Sequence, residues 1–153
     1  MKNISAENRE ERLKQEGRII GQMDIQQLKA DMQRYFREQK NLMQQRAKEY
    51  SESGRQSEAE LEMNRLDVYD TFGTMLEACA LKATMNPKFA GQDRTKVFCQ
   101  EYLMTFITKP AEWRKRYACA KEHGDEAEAR LEELRLDTVQ EIRDEFLRIS
   151  KEN

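Results

Sequence analysis

Apolar residues recur along this chain at alternating steps of three and four. In the first third they fall at Ile25, Leu28, Met32, Tyr35 and Leu42, with polar Gln39 and Arg46 interrupting the series, while Phe36, Met43 and Ala47 broaden it to one side. On an α-helix such steps share one face, and that face needs a partner. A second series, Leu66, Tyr69, Phe72, Leu76 and Ala83, follows the polar segment SESGRQS at 51–57. The short polar link predicts that the two helices close on each other as an antiparallel hairpin.

Breaks and caps set the remaining elements. Ser57 and Glu60 have the form of a capping box, so the second helix is expected to start at 57, and Asn86-Pro87 ends it because a residue before proline avoids helical geometry. Asp93 is placed to cap a strongly apolar segment holding Val97, Phe98, Tyr102, Leu103, Phe106 and Ile107. Pro110 fits the first turn of a short helix, with Thr108 or Lys109 as cap and Gly124 at its end. Asp125 and Glu128 then open a last helix whose face carries Leu131, Leu134, Val139, Ile142, Phe146 and Ile149. The predicted spans are 5–50, 57–85, 94–108, 110–123 and 126–150.

This pattern describes an all-α helical bundle built on a long antiparallel hairpin, with two short helices and a long C-terminal helix. Residues 21–153 form its single domain, and 1–20 are a charged N-terminal extension expected to fray or to order against a partner. Gly17 and Gly21 bracket Ile19-Ile20 and predict a kink there.

Composition supports the helical reading. Ala, Glu, Lys, Leu and Arg supply 73 of the 153 residues, close to the half-share of long helices, and valine occurs three times only. Leu, Ile, Val and Phe reach 18%, a thin core, but a net charge of −2 and helically spaced methionines argue for a folded chain. Cys79, Cys99 and Cys119 are odd in number and widely spaced, which excludes a complete disulfide framework and favours reduced thiols in the cytoplasm. No apolar run approaches a bilayer span, and the charged start lacks a signal peptide's apolar centre, so a membrane role is not expected.

Candidate chemistry is sparse, and no catalytic residue, metal site, cofactor or small-molecule substrate is predicted. His123, the lone histidine, sits at a helix end where the terminal carbonyls favour it. Cys99 lies within an apolar run that should hold it as an unreactive thiol. Carboxylates alternate with basic residues in the manner of solvated faces. No phosphate-cradling glycine loop or nucleophile elbow occurs.

Charge is distributed unevenly, running −2 over residues 1–81, +5 over 82–123 and −5 over 124–153. Arg94, Lys96, Lys109, Arg114, Lys115, Arg116 and Lys121 could meet nucleic acid or an acidic partner, or pack beside the acidic last helix. On the helix from 110, Trp113, Tyr117 and Ala120 share the inner side and Arg114 and Lys115 point outward, which makes a weak reading head.

The expected function is therefore non-enzymatic: an adaptor, chaperone-like or assembly subunit that binds protein through helical surfaces and is able to self-associate. Ile25, Leu28, Met32, Tyr35, Phe36, Leu42 and Met43 are the expected pairing stripe, and Met23, Met32, Met43, Met63 and Met75 suit an adaptable contact surface. The alternative is a nucleic-acid-binding accessory protein using the basic region 82–121.

Overall fold

Five α-helices and one 3₁₀ turn make up most of residues 24–151, which are the residues described by the structure, a computed structural model. Helix α1 spans Ile25–Glu52, α2 Gln56–Met85, α3 Arg94–Thr108, α4 Ala111–His123 and α5 Glu126–Lys151, with the turn at Pro87–Phe89 between α2 and α3. No helix among the described residues is long and apolar enough to cross a membrane.

Short polar side chains and glycines set the helix ends. Asp24 Oδ1 accepts from the Gln27 amide at 2.8 Å and starts α1 at Ile25, so the first helix does not run continuously from residue 5. The expected extension and its Gly17–Gly21 kink lie outside the described residues. Gly54, at φ +79°, turns the chain out of α1 while the Arg55 amide bonds the Tyr50 carbonyl at 2.7 Å. That tight exit starts α2 at Gln56 with Arg55 as N-cap, so Ser57 already lies inside the helix and does not act as its cap.

The other caps follow the expected positions. Asp93 Oδ1 accepts from the Thr95 and Lys96 amides, and Asp125 Oδ1 from that of Glu128. Gly124, at φ +70°, reverses the chain between α4 and α5. At the α3–α4 junction Pro110 itself is the N-cap, not Thr108 or Lys109, and Lys109 keeps helical angles. The missing proline amide breaks the hydrogen-bond ladder there.

Inter-helix pairs define the directions. Lys29–Glu77 at 2.8 Å and Lys40–Asp70 at 2.5 Å run α1 against α2. Phe72–Phe106 and Lys82–Glu101 run α3 against α2. Along α5, Phe98 meets Phe146 and Trp113 lies under Arg135, so α3 and α4 form one broken arm antiparallel to it. Arg130–Glu58 and Arg65–Glu141 then place α5 parallel to α2. The result is a four-armed up-down-up-down bundle.

An aromatic cluster fills the centre. The Phe72 and Phe106 rings stack at 4.9 Å, and Tyr102 makes edge contacts with Phe106 at 5.0 Å and Phe146 at 4.9 Å. Tyr102 is fully buried, and its hydroxyl donates to the Phe72 carbonyl at 3.0 Å, which removes the penalty of an unpaired polar group.

The α1 seam differs from its heptad reading. Ile25, Leu28, Met32, Phe36, Met43 and Ala47 are buried, Gln39 and Tyr50 are half-buried on the same line, and Leu42 is 39% exposed. These steps, three-four-four repeating, keep pace with 3.6 residues per turn. A strict seven-residue repeat drifts by about 20° per heptad on a straight helix, which keeps Gln39 on the seam but replaces Leu42 there by Met43 and Arg46 by Ala47. Tyr35 stays at the margin, its hydroxyl 3.1 Å from that of Tyr69.

Leu42→Asp should therefore cost no more than about 1.5 kcal/mol, whereas Met43→Asp should cost more than about 3 kcal/mol. Urea denaturation followed by circular dichroism measures both, and equal losses would contradict the seam.

Candidate interaction surfaces

Helix α2 carries apolar residues on two faces. Its inner face supplies Leu66, Tyr69, Phe72, Leu76 and Ala83 to the core. Out of phase with these, Thr74, Ala78, Leu81 and Met85 step by four, three and four along the outer side. Leu81 is 65% exposed and Met85 68%. Together with Gln26 and Lys29 of α1 they line a groove of about 450 Å³. Exposed apolar residues grouped at helical spacing mark a contact surface more strongly than scattered ones do. Met63, 48% exposed, lines a separate groove of about 430 Å³ where α1 and α2 meet at their hairpin end.

The α2 outer stripe was absent from the expected pairing set, although the spacing of Ala78, Leu81 and Met85 encodes it. Of that set, Ile25, Leu28, Met32, Phe36 and Met43 are consumed by the core, Tyr35 is half-buried and Leu42 is exposed. Met75 is partly buried against the core.

Two basic-patch residues are engaged with backbone. Arg94 Nη1 donates to the Ala83 and Thr84 carbonyls, each at 2.8 Å, closing the C-terminal end of α2. Arg114 Nη2 does the same for Ile107 at 2.5 Å, where Pro110 has interrupted the α3 ladder. Charged donors suit such orphaned carbonyls and the negative end of the helix dipole. Lys115 pairs with Glu112 at 3.6 Å and Lys121 lies 5.9 Å from the Tyr117 ring centre. Lys96, Lys109 and Arg116 are exposed. Helix α4 packs along α5, with Ala120 buried and Trp113 and Tyr117 half-buried.

A carboxyl that no motif announced is fully covered. Glu132 stands in phase with Ala129 and Val139 on the inner face of α5. Its Oε1 accepts from Arg135 at 2.7 Å, while Oε2 is buried without a hydrogen-bond partner. Arg135 also reaches Asn64 at 3.3 Å and lies over the Trp113 ring, so one side chain links α2, α4 and α5. Burial raises the Glu132 pKa, with Glu128 adding to the rise and Arg135 and Arg116 opposing it. The signal in the sequence is a charged residue at an apolar phase of the helix.

The thiols divide by environment. Burial raises Cys79, and pushes Cys99 to about 11 with Asp93 contributing. Cys119 is exposed, 3.6 Å from His123 Nδ1, and that nitrogen lies 2.8 Å from the Cys119 carbonyl, which fixes it as the donor. Among the described residues no group of three or more His, Cys, Asp or Glu is arranged to hold a metal ion.

Compared with models of known protein families, with curated proteins and with solved structures, the chain matches none.

Two outcomes follow from these environments. Between the ordinary glutamate range and the raised pKa of Glu132, the native state holds a proton that the unfolded chain has lost, so ionisation of this group lowers stability as pH rises. Urea midpoints of Glu132→Gln relative to wild type should shift in the variant's favour with rising pH; a shift the other way would contradict the assignment. In the native protein at neutral pH, a thiol-specific reagent should label Cys119 first, with Cys79 and Cys99 reacting only on unfolding. Mass mapping of the labelled peptides reads this, and early modification of Cys99 would refute it.

Proposed function

We propose that this protein is a cytoplasmic, non-enzymatic protein-interaction module, an adaptor, chaperone-like or assembly subunit that receives an amphipathic helix along the outer face of α2. The observation that carries this reading is the exposed stripe Thr74, Ala78, Leu81 and Met85. Its spacing is that of a helix-pairing seam: small Ala78 permits close approach, and Leu81 and Met85 offer anchors. Methionine's flexible thioether adapts to different partner side chains. Charged residues flank the stripe, Glu77 on the α1 side and Lys82 on the α3 side, and each remains about half exposed, at 49% and 47%. A cytoplasmic setting accords with three unpaired thiols.

The nucleic-acid reading of the basic region has fewer cations to draw on, because Arg94 and Arg114 close helix ends. The test compares binding by wild type and by Leu81→Asp with Met85→Asp. Both side chains are exposed, so the double variant should melt within a few degrees of wild type while losing the proteins that wild type retains from its source cell. Equal retention would sink the proposal. Retention of DNA or RNA that falls steeply with salt and is lost in Lys115→Glu with Arg116→Glu would favour the alternative.

A further inference from the structure

We infer that the helix received by the α2 outer stripe is the same helix of a second copy, paired in parallel. This rests on the reading of that stripe as a protein-binding seam and adds the identity of its occupant.

Charge selects the occupant and its direction. In heptad terms Thr74 and Leu81 take the d positions and Ala78 and Met85 the a positions, which makes Glu77 a g residue and Lys82 the following e residue. At 100° per residue these two stand about 70° to either side of the stripe. In a parallel two-stranded seam each g residue faces the e residue five positions on in its partner, so Glu77 of each copy meets Lys82 of the other, twice per dimer. An antiparallel copy would instead bring like flanks together, Glu77 toward Glu77 and Lys82 toward Lys82. The intramolecular partners, Lys29 and Gln33 for Glu77 and Glu101 for Lys82, leave both side chains about half exposed and open to a further contact.

Small and large residues agree with the same register. Ala78 meets Ala78 where the helices must come closest, and Leu81 and Met85 each meet their own copy across the two-fold axis. The stripe from 74 to 85 covers less than two heptads. It is therefore short of the roughly 800 Å² per partner that stable interfaces bury, and the dimer is weak and concentration-dependent.

The full chain is examined by sedimentation velocity over a wide concentration range, with circular dichroism melts confirming that each variant folds. Wild type should pass from monomer toward dimer as concentration rises, and Leu81→Asp should stay monomeric. Glu77→Lys or Lys82→Glu alone should weaken association about tenfold, each placing two like-charge contacts in the seam. Combining Glu77→Lys with Lys82→Glu should restore it. Both intramolecular pairs remain broken in that double variant, so recovery reports the contact between copies. A monomer at all concentrations, or a double variant as weak as the single ones, overturns the inference.

A photo-crosslinker at position 81 separates this failure from failure of the functional reading. Self-crosslinking that appears over the concentrations at which sedimentation shows the dimer supports a second copy. Crosslinking to a different protein by a chain that stays monomeric overturns the second copy and leaves the seam as a binding surface. No crosslink to any protein overturns both.

Discussion

Everything in this bundle is arranged around α2, which has to serve three neighbours at once. Helices α1, α3 and α5 all pack against it, so apolar residues must occupy most of its circumference. Such a helix loses the clean division between a wet side and a dry side that a surface helix has. Tyr102 illustrates the demand from the other direction: its ring fills the centre, and its hydroxyl finds a partner because the Phe72 carbonyl of α2 lies within reach. The outer stripe is the part of α2's apolar surface that no described helix covers in full.

Helix ends are legible in the sequence wherever the chemistry that sets them is local. Asp93, Asn86-Pro87, Gly124 and Asp125 mark helix ends through groups within a few residues of themselves, and all four do so in the structure. The hairpin between α1 and α2 was legible for the same reason, since two apolar series joined by a short polar link have few other ways to pair. Ser57 failed as a cap because Gly54, three residues earlier, had already set the backbone into α2. Leu42 failed because a seven-residue repeat was extended along a helix that stays close to its natural pitch.

The less legible features depend on distance in the chain. Arg94 reaches carbonyls 10 and 11 residues upstream, and nothing in its neighbourhood announces that. Glu132 was hidden among 29 acidic residues until its phase on α5 was set against the core. The stripe on α2 escaped because the stronger inner series masked it: two periodic patterns superposed on one helix read as general hydrophobicity.

The parallel pairing of α2 with α5 also governs how the molecule is assembled in time. Antiparallel neighbours such as α1 and α2 meet across three residues of loop, and the helical hairpin they form is almost entirely local. Parallel neighbours have no such shortcut. The contacts of Glu141 with Tyr69 and Arg65 join residues 72 and 76 positions apart, and they close only after the α3–α4 arm has returned the chain to the starting end. Closing that loop costs more entropy than closing the hairpin, although the cost rises only logarithmically with length. The hairpin is thus the natural early structure, and docking of α5 is the long-range step that completes the molecule.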